Sequence, residues 1–471
     1  MIQLLGFLII PLVGLIAIIL NSVVKRRMKP DKIVFAVAIV MSFLFFIGLL
    51  EGFSGFSMSL VKQVDFSVTF QLNSLSLPFM LLAIVLPALG LLAAHKEIHE
   101  KEDLFYVFYL ISYMSLIAVF MSTNLITFFV FWEAVLISFF FVIAYWGEKE
   151  LRGHASMKFL VFTQLGSLLL LGAFILMFIY TGSFNLTTIR SMISSIPAGV
   201  SYIIFAFVLV AAMLKMPIFP LHSWLPDAHS GAPTAGSVLL AGILLKMGGY
   251  ALLLFGITLL PGIASKIQTP MIWLGIITVI YIAFVASAQR DFKRMIAYSS
   301  VLYMGLAFMG AFSLTKAGIG GSVLLMVSHG FIVGMLFVLA GILKEKTGTR
   351  DLNKLGGLMG RMPAYAFFLV FAVIATLGVP GLSNFIGEFL VFIGSYSVYP
   401  LSLISLVSIL IATNYYLMAV KKILFSSLAK SLTKVKDISY LESVQLSLFT
   451  VFIVVIGLMP GVILNAINIT I

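Results

Sequence analysis

Residues 211–249 read AAMLKMPIFPLHSWLPDAHSGAPTAGSVLLAGILLKMGG. Two apolar runs meet here, and each carries a lysine inside it, Lys215 and Lys246. Pro217 and Pro220 follow the first lysine. A proline in a helix interior removes a backbone donor and clashes with the preceding turn, so this pair predicts a bend or break just past Lys215. The carbonyls so released belong to Met213 and Met216, beside the Lys215 ammonium. Soluble cores rarely bury a lysine, and a lysine at mid-bilayer costs ~2.5–3.5 kcal/mol on insertion scales. Two of them on neighbouring helices, one at a proline break, point to an ion or proton path.

The rest of the chain bears out the choice of a bilayer as solvent. It has 471 residues, 62% hydrophobic and only 10% charged, a profile that no soluble domain of this size shows. The chain is predicted to be an all-α polytopic membrane protein. It has no cysteine, which excludes disulfides, iron–sulfur ligation and cysteine-based zinc sites within it. A net charge of +12 would suit a nucleic-acid partner, but the placement of the basic residues assigns it to membrane orientation, with no nucleic acid implied. The opening MIQLLGFLIIPLVGLIAIIL has no basic leader and no small-residue cleavage site, and reads as a retained first span.

A span needs about 20 apolar residues. Fourteen candidates fit: 2–24, 32–50, 74–94, 104–121, 124–146, 157–181, 200–221, 234–256, 271–289, 293–313, 321–343, 363–394, 399–425 and 442–466. Of the 29 lysines and arginines, 23 fall at connections after odd-numbered spans and only Lys62, Arg190, Lys266 and Lys316 on the opposite side. The other two are Lys215 and Lys246. The positive-inside rule then puts the odd connections in the cytoplasm and both termini outside. A second interrupted run, ATLGVPGLSNFIGEFLVF at 375–392, sets Pro380 between two glycines and Glu388 just beyond. The first break lies in span seven and the second in span twelve. Each is the fourth helix of a five-helix unit if spans 4–8 (104–256) and 9–13 (271–425) are paired repeats. An odd-numbered unit repeated in series is inverted, and matching broken helices in inverted halves point to a transport site. The expected layout is one transmembrane domain: peripheral spans 1–3 in 1–103, the two inverted repeats, and a last span at 442–466.

Each polar residue inside the membrane has a bland and a functional reading. Glu133, in FFVFWEAVLISFFF, is a helix-end carboxylate reaching the interface or a buried partner of Lys215. Lys215 and Lys246 are structural counter-ions or desolvated lysines able to exchange a proton. His222 and His229 flank SWLPDA and are interface histidines or relay groups; their spacing with one aspartate is a weak metal signal, and no metal is expected. His329, in SHG within span eleven, bonds a carbonyl or serves a relay, since histidine titrates near neutrality. Glu388 is neutral and structural, or lines water beside an unwound stretch. The glycine-rich pieces lack the strand–helix context of a phosphate-binding loop.

Four stretches carry a family resemblance: LKMPIFPLHSWLPDAHSGAPTAGSVLLAGILLKMGGY at 214–250, RDFKRMIAYSSVLYMG at 290–305, LMVSHGFIVGMLFVLAGILKEKTGTRDLNKLGGL at 325–358 and GVPGLSNFIGEF at 378–389. Together they resemble the antiporter-like membrane subunits of respiratory complex I, a group related to the large subunits of multisubunit sodium/proton antiporters and of membrane-bound hydrogenases. Glu388 is similar to the glutamate of the subunit-M branch, where other branches carry lysine. The resemblance implies proton translocation driven by redox chemistry in partner subunits, which would hold the flavin, iron–sulfur clusters and quinone, with no cofactor on this chain. It implies antiporter-like neighbours, a quinone-module or hydrogenase-module arm, and a prokaryotic plasma membrane. The implied roles are Glu133 and Lys215 as a charge pair, Lys246 as central relay, His329 as connecting group and Glu388 as outward exit. The chain departs from the family's frequent SHMG, reading LYMG at 302–305, so Tyr303 stands where that histidine would be and the relay there passes through water or the tyrosine hydroxyl. A sodium/proton antiporter subunit without a redox partner, a proton- or sodium-carrying subunit of a hydrogenase or sulfur-reducing complex, and a span that only transmits force remain the competing readings.

Overall fold

The computed structural model describes residues 2–23, 29–53, 55–61, 66–428 and 432–467. Of the basic residues used to orient the chain, Lys25, Arg26, Arg27, Lys62 and Lys430 lie outside the described residues. The described chain is helical almost throughout. In order it forms α1 (Ile2–Val23), α2 (Pro30–Glu51), strands β1 (Phe56–Val61) and β2 (Phe66–Phe70), α3 (Ser76–Glu97), α4 (Glu102–Met121), α5 (Leu125–Trp146) and α6 (Arg152–Thr181). Short α7 (Leu186–Met192) leads to α8 (Ala198–Lys215), α9 (Trp224–Gly231), α10 (Thr234–Leu239) and α11 (Leu245–Ala251). Then come α12 (Pro261–Lys266), α13 (Gln268–Ser287), α14 (Phe292–Phe312), α15 (Lys316–Thr347), α16 (Pro363–Thr376), α17 (Ser383–Val398), α18 (Leu406–Val420), α19 (Tyr440–Leu458) and α20 (Gly461–Leu464).

Among the described residues, 13 helices are long and apolar enough to cross a membrane. The remaining crossing is the broken one. α16 has 14 residues and α17 has 16, separated by residues 377–382. Asp437, in the connection before α19, accepts from the backbone N–H of Ala364 at 2.8 Å and Tyr365 at 3.1 Å, so α16 begins at the end where that connection lies. α18 is one crossing back to that end, so α16 and α17 together make the other. Span seven stops at Lys215, six residues short of its expected end, because Pro217 and Pro220 turn 216–223 out of the helix.

The ends of the helices sort into two groups. Ion pairs join the odd-numbered connections at one end: His95 with Asp31 at 2.6 Å, Lys96 with Glu442 at 3.0 Å, Lys158 and Arg294 with Asp227 at 2.7 and 3.2 Å, and Lys344 and Arg350 with Glu148 at 3.0 and 2.7 Å. Arg350 also reaches Asp291 at 3.2 Å. At the other end, Asn124 bridges to Asn185, Gln268 donates to the Ser313 carbonyl at 2.7 Å, and the β1–β2 hairpin closes over the bundle, Phe70 bridging to Ser122. The hairpin departs from a purely helical reading. Its alternation of aromatic, β-branched and polar residues over five or six positions is a strand signal, here short and capping.

Two crossings sit at the centre. The continuous helix from Thr234 to Ile257 and the 32-residue α15 are buried throughout their apolar windows, whereas α1 and α2 are only one-third buried. Lys246 and His329 ride on these two inner helices. That is where a membrane protein keeps ionisable side chains, since facing lipid they would have no partner.

Candidate ion-translocation site

The inner helix carrying Lys246 is not regular. Leu240–Leu244 and Leu252–Ile257 are π-helical turns on either side of the lysine. Such turns are rare and widen the backbone spacing, often where a functional group must be aimed. Gly248 lets this helix meet the broken end of α8: a Cβ there would fall 2.6 Å from the Met216 nitrogen and 2.9 Å from the Ala212 carbonyl. Lys246 is fully buried. Its ammonium nitrogen donates to the Ala241 carbonyl, inside the first π turn, and lies 3.0 Å from His329 Nδ1. Two basic groups share one hydrogen bond, so a single proton serves both: an ammonium donating to neutral imidazole, or an amine accepting from imidazolium.

Tyr303 also packs against His329. The Tyr303 ring lies 5.2 Å from the imidazole, centroid to centroid. The Tyr303 hydroxyl donates to the Thr376 carbonyl at 2.5 Å. Asn384 donates to the same carbonyl at 3.3 Å and to Glu388 Oε1 at 3.1 Å. Glu388 itself is 6% exposed, in the first turns of α17 directly after the break. Lys246, His329, Tyr303 and Glu388, predicted from four separate stretches, therefore lie along one buried polar line.

Lys215 is placed differently from expectation. It is buried at the last residue of α8, and its nitrogen has no hydrogen-bond partner. It lies 4.6 Å from the centroid of the Trp132 ring, a cation–π contact. Glu133, next to Trp132, is half-buried on α5, its Oε1 has no partner, and no ion pair joins it to Lys215, though it is close enough to act through space. A direct Glu133–Lys215 bridge, as sequence suggested, is thus not formed; the ammonium rests on the tryptophan face instead. Nor is the ammonium held by the released carbonyls. Met213 O accepts from Ile218 N–H at 3.1 Å, which leaves Leu214 O without its own helical donor, and the Trp224 indole takes Leu214 O at 2.9 Å.

His222 and His229 are both buried, at 8% and 0% exposure. The His222 ring lies 5.9 Å from Phe219 and 5.9 Å from Tyr281, with Nδ1 unpartnered. His229 stacks on Phe337 at 4.5 Å, and neither ring nitrogen has a partner. Neither touches the Lys246–His329 pair by hydrogen bond. Among the described residues no three His, Asp or Glu side chains converge as metal ligands would.

Sequence reasoning missed three features. Asn384 stands four residues before Glu388, one helical turn away, and that spacing was readable. Trp132 was readable only as Glu133's neighbour. The third is a cavity of about 440 Å³ at the end where the ion pairs cluster, lined by Glu97, Glu148, Lys293, Lys344, Arg350 and Glu442 among others. Lys293 had been counted only for orientation. It is 3% exposed and donates to the Ala232 carbonyl at 2.7 Å.

Residues 122–413 match the family model described as "NADH:quinone oxidoreductase/Mrp antiporter, TM". NADH-quinone oxidoreductase subunit M of Rickettsia conorii is 36% identical over 401 residues, covering 85% of this chain and 81% of that protein. A chain of respiratory complex I from Thermus thermophilus with bound NADH superposes with a TM-score of 0.89 at 29% identity, covering 98% of this chain and 97% of that one. A chain of a membrane-bound sulfane sulfur reductase, an archaeal respiratory complex, has the same fold, with a TM-score of 0.88 at 24% identity, covering 99% of this chain and 77% of that one.

Proposed function

This chain belongs to the NADH:quinone oxidoreductase/Mrp antiporter transmembrane family, and from that premise we propose that it is the subunit-M-type, proton-translocating member of a complex I-like oxidoreductase. It works in the plasma membrane with other antiporter-like membrane subunits and a quinone module. The flavin, iron–sulfur clusters and quinone belong to those partners, whose redox chemistry drives it. The clustered basic end faces the cytoplasm and both termini face outward. The two broken crossings belong to inverted five-helix units, 104–256 and 271–425, a reading supported by the matching position of their breaks.

One observation carries the functional reading: a buried lysine and a buried histidine 3.0 Å apart, followed by Tyr303 and then Glu388 at a helix break. Lys246 is the central relay and His329 the connecting group. Tyr303 bridges toward Glu388, the outward exit. Lys215 and Glu133 form the charged input of the first unit. They act through space rather than by contact, with Lys215 resting on the Trp132 face, so a movement of either side chain changes the field felt by a proton on Lys215. His222 and His229 are secondary groups on the cytoplasmic side.

The test is proton translocation by the whole complex in vesicles at matched electron-transfer rates. Lys246→Ala and Lys246→Arg should both assemble and both pump fewer protons per electron, since a guanidinium does not give up its proton. Wild-type stoichiometry in the arginine variant would remove Lys246 from the path.

A further inference from the structure

Pro380 stands four residues after Thr376, so the Thr376 carbonyl has no helical donor. It is buried and receives two side-chain donors instead, the Tyr303 hydroxyl at 2.5 Å from the His329 side and the Asn384 amide at 3.3 Å from the Glu388 side. Asn384 is fully buried, its Oδ1 has no partner, and its amide also holds Glu388 Oε1 at 3.1 Å. The Glu388 carboxylate is pressed into the break: a Cβ on Gly378 would fall 2.6 Å from Oε2.

A peptide carbonyl accepts hydrogen bonds but has no proton to pass on. Two donors converging on one carbonyl therefore end the hydrogen-bonded chain from both sides. In this arrangement the Tyr303 proton is aimed at a dead end, not at Glu388. We propose that the Thr376 carbonyl is a gate in the outward path and that Asn384 is the positioning residue that lets it open. When the Tyr303 hydroxyl leaves, Asn384 alone keeps the carbonyl satisfied, which avoids the cost of a bare buried acceptor. The freed hydroxyl then bridges His329 and Glu388. The protonated imidazole of His329 breaks an N–H bond and gives that proton to the Tyr303 oxygen. At the same time the Tyr303 O–H bond breaks and its proton bonds to the Glu388 carboxylate. Tyr303 ends as it began, His329 is neutral and Glu388 is protonated. This rests on Glu388 being the exit, as proposed above.

The experiment uses the whole complex in vesicles, with Glu388→Gln as reference. Asn384→Leu should assemble, reduce quinone normally and lower the proton-to-electron ratio to that of Glu388→Gln. The infrared C=O stretch of protonated Glu388, identified by its loss in Glu388→Gln, should move to higher frequency. Asn384→Gln, which keeps the amide donor, should restore both. An Asn384→Leu variant that pumps like wild type while Glu388→Gln does not overturns the gate and leaves the exit standing. A Glu388→Gln variant that pumps like wild type overturns the exit and the gate with it. Should Asn384→Leu fail to assemble, Tyr303→Phe keeps the ring, leaves the Thr376 carbonyl to Asn384 and removes only the hydroxyl that must swing. Its proton-to-electron ratio should fall to that of Glu388→Gln, and a wild-type ratio overturns the gate.

Discussion

Lys215 and Glu133 show how far a single residue's role follows from its letter. Opposite charges in spans five and seven, together with the family resemblance, implied a buried ion pair, for which removal of one partner costs about 3–5 kcal/mol. In the fold the lysine lies over Trp132 at 4.6 Å, with no hydrogen bond to the glutamate. A cation over an indole contributes about 0.5–2 kcal/mol depending on desolvation. The two arrangements give different double-mutant cycles. Glu133→Gln and Lys215→Met should change the thermal stability of the assembled complex almost additively, with a coupling of about 1 kcal/mol or less. Trp132→Leu combined with Lys215→Met should show the larger coupling. A Glu133–Lys215 coupling of about 3 kcal/mol would mean that the pair closes in the working complex. The charges themselves were legible because lysine and glutamate are rare in such runs. The tryptophan beneath the lysine was not, because its contact spans 83 residues of chain.

At the scale of the element, the two breaks were readable and their chemistry was not. Pro217, Pro220 and Pro380 foretold where α8 ends and where α16 and α17 part. What fills the released backbone could not be foretold. Leu214 O is taken by Trp224, and Thr376 O by Tyr303 from 73 residues away. A partner as distant as Tyr303 is set by packing, which no local pattern encodes. The π turns flanking Lys246 are equally silent, since this helix is apolar and buried on every face and has no polar stripe whose phase an inserted residue would shift. The second break depends on Gly378, which has φ +65° and whose absent side chain makes room for the Glu388 carboxylate. Gly378→Ala should therefore destabilise the assembled subunit by about 1–3 kcal/mol through the left-handed backbone. It should also displace Glu388 and lower the proton-to-electron ratio. Gly381 has φ +92° with open space around it, so Gly381→Ala should share the stability loss without the pumping loss. Equal pumping by the two variants would separate the carboxylate's position from transport.

For the whole molecule, the distribution of charge and the fold tell the same story from opposite directions. The basic residues were sorted by the rule that cytoplasmic connections hold lysine and arginine. In the fold those connections meet and pair with acids, so orientation and cohesion use the same side chains. The chain has no native cysteine, so single cysteines at Lys149 and Ser265, at opposite ends of the bundle, should label from opposite sides of the membrane; labelling from one side would overturn the orientation. Among the acids at this end, Glu148, between α5 and α6, reaches Lys344 and Arg350 across 196 and 202 residues of chain and so helps tie the first half to the second. Burial alone would raise its pKa. The Arg350 guanidinium, the hydrogen bond from Lys344 and the charge of Lys293 outweigh that and hold the carboxyl below its ordinary value. A carboxyl whose folded pKa is depressed contributes stability above its unfolded pKa and loses it as pH falls through the folded one. The side chain is 26% exposed, so the pair lies between a surface and a buried bridge, and Glu148→Gln should cost about 1 kcal/mol at neutral pH. Thermal unfolding in detergent as a function of pH measures this. The wild type should be the more stable at pH 7, and the difference should shrink below pH ~4 as the wild-type carboxyl takes up its proton. A difference that persists unchanged into acid would assign the effect to packing, and the tie between the two halves at this end would then rest on other pairs such as Arg294 with Asp227.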